Sequence, residues 1–380
     1  MSDPATHNVD VLFRPFPFGK VTLPNRLVMA PMTRSMSPGN IPGPDVAAYY
    51  RRRAEGGTGL IVTEGTHPEF KGAHGYPDVP NFHGDALAGW RRVVDEVHAA
   101  GGFIIPQIWH VGSIRKKGLG PDPDEAIVGP SAVMHPFHLS QGEAPPGAEV
   151  PEAMSQQDID DCVAAYGKAA ADAVANGFDG LEIHGAHSYL IDQFFWSATN
   201  QRQDKYGGNL AQRTRFAVEI VTAMRAAVPE DFPIVFRFSQ WKSGDYNHKM
   251  AASPEELESF LQPLVEAGVD IFHCSTRRFN DPEFEGSSLN LAGWTRKLSG
   301  LPAITVGSVG LDSDFLRTFG GQETHKSDIG ALIERMERGE FDLVAVGRAL
   351  LSDPAWANKI KAGREEEIIE FTRDCMQKLA

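Results

Sequence analysis

The sequence has 380 residues, 42% of them hydrophobic, and a formal net charge of −14 at pH 7. A chain of this length can bury a large core, either as two domains or as one big barrel. Because nucleic acids and anionic membrane surfaces attract concentrated Lys and Arg, the acidic balance argues against both as partners.

The amino terminus and the cysteines predict a soluble cytoplasmic protein. Residues 1–10 are polar and lack the apolar core of a signal peptide, and no stretch is long and apolar enough to span a bilayer. The three cysteines, Cys162, Cys274 and Cys375, form no CxxC pair. We therefore expect neither a structural zinc site nor an iron–sulfur cluster.

Eight short apolar runs rich in Val, Ile and Phe alternate with helical segments along the chain. This alternation is typical of a parallel sheet covered by helices, and eight repeats favour a closed (βα)₈ barrel, the TIM barrel, over an open sheet. The predicted strands are residues 27–31, 59–65, 102–110, 180–185, 233–239, 269–276, 303–307 and 343–347.

The segments between these strands have helical spacing and recognisable ends. Ser155 followed by Asp158 resembles an N-cap arrangement, and Ser253 precedes Pro254, which suits a first helical turn. Three glycines stand where helices end: Gly101, Gly177 and Gly268. The predicted helices are residues 45–55, 87–100, 158–175, 213–228 and 254–267.

One connection, residues 111–154 after the third strand, is about forty residues long and dense in Pro and Gly. A loop of this length is usually a functional lid, although a disordered insertion is an alternative. With no other repeat and no interdomain linker, residues 1–380 are expected to form a single domain with this excursion capping the barrel.

Polar residues follow the apolar runs, and in a barrel of this kind the active site is built at the carboxyl ends of the strands. We therefore expect these side chains to converge on one mouth. They are Thr33, Arg34, Glu64, Gln107, His110, His184, His187, Tyr189, Arg237, Ser308 and Arg348.

The cluster after the fourth strand places His184 and His187 three residues apart, with Tyr189 two residues later. Paired imidazoles can bind a metal, but a catalytic metal normally needs a third ligand, and no convincing match appears at the other strand ends. The alternative is that the imidazoles donate to a carbonyl or nitro oxygen and the phenol supplies a proton. On spacing alone, Tyr189 could equally be a packing residue under the lid.

The ends of the seventh and eighth strands carry Gly307, Ser308, Gly347 and Arg348. Loops at these two positions form the usual phosphate site of the fold, and glycine lets the backbone approach an anion closely. The sequence therefore predicts a phosphate site there.

Taken together, these motifs resemble the old yellow enzyme family of flavin oxidoreductases over residues 12–354. The most specific stretch is His-Gly-Ala-His-Ser-Tyr-Leu-Ile-Asp-Gln-Phe at residues 184–194, continued at 200–208 and 213–216. Ala-Pro-Met-Thr-Arg at 30–34, Thr-Glu-Gly at 63–65, Gln-Ile-Trp-His at 107–110 and Gly-Arg at 347–348 also match in order.

The resemblance implies a non-covalent FMN, reduced by NAD(P)H and reoxidised by an activated alkene. It implies that Pro31, Met32, Thr33 and Gly65 line the isoalloxazine, that Gln107 and Arg237 bind its pyrimidine side, and that Gly307, Ser308, Gly347 and Arg348 hold the phosphate. A fixed cation such as Arg237 would stabilise the negative charge of the reduced flavin.

The mechanism implied by the resemblance assigns His184 and His187 to the carbonyl oxygen of an enone-type substrate. Hydride passes from flavin N5 to the β-carbon, Tyr189 protonates the α-carbon, and Trp109 lies near the substrate. Many relatives carry Asn where this chain has His187, and a His pair also suits nitro and nitrate ester oxygens; quinones are further candidate acceptors.

Two other classes of function are weighed against this one. A non-redox phosphate-binding barrel, such as a lyase or isomerase, would use a strand-end Lys or Glu, but no strand-end Lys stands out. A catalytically silent ligand-binding barrel is the third reading. The sequence leaves monomer and homo-oligomer open, as well as the choice between NADH and NADPH.

Overall fold

The computed structural model describes residues 8–140 and 142–380; residues 1–7 of the polar amino terminus and Gln141 of the excursion lie outside them. Eight parallel strands close into a barrel in chain order, which confirms the predicted (βα)₈ fold. The barrel strands are β1 (Leu27–Met29), β2 (Leu60–Thr66), β3 (Ile104–Ile108), β4 (Leu181–Gly185), β5 (Ile234–Phe238), β6 (Ile271–Ser275), β7 (Ala303–Val306) and β8 (Leu343–Val346).

The barrel closes where β8 pairs with β1, with Val344 opposite Leu27 and Val346 opposite Met29. Its interior is filled by a cluster of branched side chains that includes Val28, Leu60 and Ile304. A hairpin of two short strands, Phe16–Phe18 and Val21–Leu23, joins the same cluster. Since this hairpin packs beside the beginnings of the strands, the opposite, carboxyl end is the open mouth.

A principal helix follows each barrel strand within the described residues. These helices are α1 (Pro44–Glu55), α2 (Ala86–Ala99), α3 (Gln156–Ala175), α4 (Arg215–Ala226), α5 (Pro254–Ala267), α6 (Leu291–Ser299), α7 (Gly330–Glu337) and α8 (Trp356–Lys361). The first five confirm the predicted helices to within two residues at each end. None of the helices in the described ranges is long and apolar enough to cross a membrane.

The predicted helix ends are also confirmed. Ser155 and Asp158 form a reciprocal capping box at the start of α3, and the Ser253 side chain accepts from the backbone N–H of Glu256. Each satisfies backbone donors that the first helical turn leaves without an intrahelical partner. The glycines after α2, α3 and α5 have φ values of +75°, +80° and +109°.

The excursion between β3 and α3 is tied down by its own short elements. The strands Val128–Gly129 and Glu152–Ala153 pair with each other, and the helix Pro136–Leu139 lies between them. Arg115 is fully buried and donates to the carbonyl oxygen of His74 at 2.6 Å.

The remaining short helices lie in the loops and near the ends of the described chain. They are Val9–Phe13, Pro38–Asn40, Gly112–Ile114, Leu190–Phe195, Leu210–Arg213, Phe315–Phe319, Arg348–Ser352, Glu365–Glu367 and Arg373–Gln377.

Candidate active site

Two adjoining cavities open at the carboxyl ends of the strands, with volumes of about 320 Å³ and about 110 Å³. The larger is lined by Pro31, Met32, His187, Tyr189, Arg237, Gly307, Ser308, Gly347 and Arg348, among others. The smaller is lined by Pro31, Thr33, Gln107, Trp109, His184, His187, Tyr189 and Arg237. The fold therefore brings together all the predicted site residues except Gly65.

Gly65 lies behind the cavity wall instead of in it. It pairs with Gln107 in the sheet, and a Cβ atom there would stand 2.3 Å from the Trp109 ring. The absence of a side chain at Gly65 therefore makes room for the indole, and its part in the site is to let Trp109 approach.

His184, His187 and Tyr189 surround one point of the cavities. The centroids of the two imidazoles are 4.9 Å apart with their planes at 89°, and the Tyr189 ring lies 5.1 Å from that of His184. Trp109 packs edge-on against Tyr189 at 4.8 Å. In the described part of the chain, no group of three or more His, Cys, Asp or Glu side chains is arranged to hold a metal ion.

The imidazole of His184 is a neutral hydrogen-bond donor. Burial, reinforced by the charge of Arg237, lowers its pKa well below 6.5. Its Nδ1 accepts from the backbone N–H of Ala186 at 3.3 Å, so the single ring proton resides on Nε2. Burial also lowers the pKa of His187 well below 6.5, and its Nε2 lies 2.7 Å from the Ser275 hydroxyl.

Tyr189 has a partner that the sequence patterns did not indicate. Its hydroxyl lies 3.2 Å from that of Tyr76, whose ring stacks on Trp109 with centroids 5.5 Å apart. Burial raises the pKa of Tyr189 well above 10, and the Tyr76 charge and hydroxyl add to this effect. The phenol therefore keeps its proton until a strong base develops beside it.

Two further side chains come from the loop after β5: Trp241 in the wall of the larger cavity and Lys242 behind it. The Trp241 ring stacks on His187 with centroids 4.6 Å apart and planes at 18°. Lys242 is fully buried and forms an ion pair with Asp192. No periodicity marks this loop, whose residues 239–245 read Ser-Gln-Trp-Lys-Ser-Gly-Asp, so the sequence offers no signal that Lys242 is buried.

At the centre of the cavities, Arg237 and Gln107 offer donors suited to the pyrimidine edge of a flavin. Arg237 is buried, its Nε has no hydrogen-bond partner among the described residues, and its Nη2 makes a long contact of 3.4 Å with the Ser275 hydroxyl. An unpaired buried guanidinium N–H is costly, and a carbonyl or ring nitrogen of a ligand would satisfy it. Gln107 is oriented by donating to Glu182 at 2.7 Å.

At the other end of the larger cavity, the loop immediately after β7 packs too closely against its neighbours to admit a side chain at Gly307. Gly307 has a φ of +135°, and a Cβ there would lie 2.7 Å from the Thr276 carbonyl oxygen. Ser308 follows with a φ of +53°, and Arg348 is held by the Ser313 carbonyl and the Thr318 hydroxyl. Glycine backbone that lines the cavity at residues 307 and 347, beside the oriented guanidinium of Arg348, fits a phosphate group.

Three residues expected at the mouth have other partners. The Glu64 carboxylate accepts from the backbone N–H groups of Arg34 and Ser35, and His110 contacts the Lys71 carbonyl at 3.0 Å. The Arg34 side chain turns away to the carboxyl-terminal residues, donating to the carbonyl oxygens of Cys375, Met376 and Lys378. None of the three lines either cavity, so the expectation of convergence was wrong for them, because backbone groups elsewhere in the fold hold their side chains.

Comparison with known proteins gives the same assignment as the geometry. Residues 11–367 match the sequence model of the NADH:flavin oxidoreductase / NADH oxidase family. The 12-oxophytodienoate reductase 7 of Oryza sativa subsp. japonica is 32% identical over 366 residues, which cover 90% of this chain and 86% of that protein. The NADH oxidase of Thermoanaerobacter brockii is also 32% identical, over 94% of this chain but only 52% of the oxidase.

Among solved structures, morphinone reductase in complex with tetrahydroNAD superimposes with a TM-score of 0.79 at 29% identity, covering 96% of this chain and 93% of that one. The family match extends over nearly all the described residues, and the cavities offer the donors that a flavin and its phosphate require. The chain therefore belongs to the NADH:flavin oxidoreductase / NADH oxidase family, the old yellow enzyme group of NAD(P)H-dependent oxidoreductases with FMN as cofactor.

Proposed function

We propose that this enzyme reduces the activated C=C bond of α,β-unsaturated carbonyl compounds. The observation that carries the proposal is the meeting of two neutral imidazoles and a protonated phenol around one cavity, next to the donors suited to a flavin. The names of two relatives, 12-oxophytodienoate reductase and morphinone reductase, denote reduction of oxo compounds and support the same class of substrate.

In this proposal, Pro31, Met32 and Thr33 border the flavin ring, Gln107 and Arg237 hold its pyrimidine edge, and the Gly307 and Gly347 loops with Ser308 and Arg348 hold its phosphate. When bound, FMN supplies to the alkene β-carbon the hydride that it has taken from NAD(P)H. A fixed positive charge at Arg237 stabilises the negative charge that reduction places on the pyrimidine edge.

The imidazoles bind the substrate's carbonyl oxygen. The Nε2–H of His184 donates to it, and His187 lines the same cavity with its ring perpendicular to that of His184. Negative charge grows on this oxygen as the alkene accepts hydride, so donors fixed around it stabilise the transition state more than the substrate. Trp109 limits the orientation of the alkene.

Tyr189 completes the reaction by protonating the α-carbon. Its raised pKa keeps the phenol protonated at neutral pH, and the carbanion-like α-carbon is a strong enough base to take that proton. Tyr76 fixes the direction of the hydroxyl through the contact between the two phenol oxygens.

The proposal is tested by following the flavin colour. Anaerobic NAD(P)H should bleach the purified yellow protein, and cyclohexenone should restore the colour. Tyr189→Phe should slow the recovery by about 10²-fold or more while leaving the bleaching by NAD(P)H largely intact. Equal losses in both half-reactions would contradict the role of Tyr189.

Tyr166→Phe is the matched control, because Tyr166 is a buried tyrosine on α3 that lines neither cavity. Both half-reactions of this variant should run at the rate of the unmodified enzyme. A protein that stays colourless after incubation with FMN would overturn the flavin assignment itself.

Nitro compounds, nitrate esters and quinones are further acceptors in this proposal, since neutral donors that bind a carbonyl oxygen also suit these oxygens. The lyase or isomerase alternative needs a free amine or acid at the mouth. Lys242 is buried at the end of β5 but is paired with Asp192, which weighs against that alternative.

A further inference from the structure

A fully buried ion pair lies directly behind the reacting residues. Asp192 belongs to the short helix Leu190–Phe195 after β4, and Lys242 belongs to the loop after β5; neither side chain is exposed at all. Burial raises the pKa of Asp192 and lowers that of Lys242, so each group needs the other to remain charged. Because desolvation offsets much of the attraction in such a pair, stability alone is a weak explanation for its presence.

The carboxylate of Asp192 holds a turn with an uncommon backbone conformation. His187 and Ser188 have φ values of +62° and +63°, a left-handed pair formed without glycine. Each such residue costs about 1 kcal/mol or more relative to the right-handed form. One carboxylate oxygen of Asp192 accepts from the Ser188 backbone N–H at 2.7 Å, and the other faces the ammonium of Lys242.

The loop that carries Lys242 also forms hydrogen bonds with the same turn. The Ser243 hydroxyl donates to the His187 carbonyl oxygen at 2.9 Å, and the Ser243 N–H donates to the Ser188 hydroxyl at 2.9 Å. Trp241 covers the face of the His187 ring. Residues 241–243 thus reach His187 through its backbone and its side chain, and the Lys242 ammonium fastens them to Asp192.

We propose that the Asp192–Lys242 ion pair is a positioning device that holds the left-handed turn and so fixes His187 and Tyr189 around the substrate oxygen and the α-carbon. Tyr189 is the residue immediately before the helix that bears Asp192, so a shift of this helix moves the phenol as well. The proposal rests on the proposed function. Neither member of the pair lines the two cavities, so both act through other residues.

The double variant Asp192→Asn/Lys242→Met tests this role, since it removes both charges together, keeps similar shapes and leaves no unpaired buried ion. The probe is 4-hydroxybenzaldehyde, whose phenolate oxygen is a stable mimic of the developing oxyanion. Its affinity is measured from the change in flavin absorbance of the holoenzyme, beside the melting temperature and the rates of the two half-reactions.

We expect the double variant to keep FMN and melt close to the unmodified protein, while phenolate affinity and reoxidation by cyclohexenone fall about tenfold or more. Misplacement of reacting groups by about 1 Å can cost this much without unfolding. Unchanged phenolate affinity and unchanged reoxidation in a folded double variant would overturn the proposal.

The matched control is Asp353→Asn/Lys359→Met, which removes a second largely buried Asp–Lys pair, with atoms 2.6 Å apart, beside α8 and outside the two cavities. This variant should bind the phenolate like the unmodified protein, and an equal loss in it would also overturn the proposal. If the first double variant does not fold, Lys242→Arg is used instead, since it keeps the positive charge but changes the shape of the cation. It should weaken phenolate binding, and normal affinity would overturn the proposal.

The two proposals fail separately in these measurements. Unmodified protein that binds no FMN or reduces no enone contradicts the proposed function. An active unmodified enzyme whose variants behave normally contradicts only the positioning role.

Discussion

At the scale of single residues, burial decides which form each ionisable group takes at the mouth of the barrel. His184 and His187 are neutral because burial disfavours the charged imidazolium, and Tyr189 keeps its proton because burial disfavours the phenolate. The charged side chains in this region are either paired, as Asp192 is with Lys242, or lie where the proposed function places the flavin, as Arg237 does.

Glu64 makes the stability of the enzyme depend on pH. Burial raises its pKa from 4.5 to about 7, against the opposing backbone hydrogen bonds from Arg34 and Ser35. Between these two values the folded state binds more protons than the unfolded state, so the contribution of Glu64 to the free energy of unfolding falls as pH rises. The total fall is about 3 kcal/mol.

In the Glu64→Gln variant, the free energy of unfolding should therefore fall less between pH 5 and pH 8 than in the unmodified protein. Urea unfolding of the apoprotein at each pH measures it. The control is Glu55→Gln, since Glu55 is half exposed at the end of α1 and should leave the pH profile unchanged. A Glu64→Gln profile parallel to that of the unmodified protein would show that this carboxyl titrates normally.

The motif around His184 predicted the residues to which the proposed function assigns the reaction, but it could not predict their neighbours. Tyr76, Trp241 and Lys242 come from loops whose paths depend on tertiary contacts, and no hydrophobic period describes such segments. Gly65 was predicted to line the site but lies behind the Trp109 ring. The sequence cannot distinguish a glycine that makes room for a ligand from one that makes room for a neighbouring side chain. Arg34 was expected at the mouth because it follows a strand, but the sequence does not indicate the direction in which its side chain points.

At the scale of elements, all eight strands could be predicted because strands buried on both faces are nearly continuous apolar runs. The first five helices were marked by length and by caps such as Ser155 and Ser253. The helices α6, α7 and α8 are only nine, eight and six residues long, too short for a clear helical period.

Gly307, immediately after β7, provides an element-scale prediction about FMN affinity. A Cβ would meet the Thr276 oxygen at 2.7 Å and the Arg278 nitrogen at 2.8 Å, at a φ that L-residues rarely adopt. Gly307→Ala should therefore displace the loop and weaken FMN binding by about tenfold or more, because the proposed function assigns this backbone to the charged phosphate. Quenching of FMN fluorescence measures the affinity.

The control is Gly167→Ala in α3, where the nearest atom to a new Cβ is 3.4 Å away and helical backbone favours alanine. It should bind FMN normally and melt at the same or a slightly higher temperature. If Gly307→Ala also kept full FMN affinity, the phosphate would have to bind elsewhere.

At the scale of the whole molecule, the two ends of the described chain are joined through Arg34. This side chain follows β1, yet it donates to Cys375, Met376 and Lys378 at 3.1, 3.0 and 2.7 Å. Residues 373–378 are thereby fastened to the first unit of the barrel, beside the Pro31–Thr33 segment of the site. The sequence alone left the place of this tail open, because backbone carbonyls bear no residue-specific signal.

Arg34→Lys should loosen that attachment, since an ammonium cannot reproduce the planar donor geometry of a guanidinium. Hydrogen exchange of residues 373–378 should become faster, while the barrel strands keep their protection. Arg317→Lys, an exposed substitution on the surface, is the control and should alter neither region. Unchanged exchange at residues 373–378 would mean that other contacts hold the tail.

The left-handed turn also limits which amino acids evolution can place at position 187. A φ of +62° is accessible at low cost to Gly, Asn, Asp and His, but not to β-branched residues. Among these four residue types, only Asn and His carry a neutral N–H donor on the side chain. His187 therefore combines a side chain that tolerates the left-handed backbone with the neutral N–H donor that the proposed function requires.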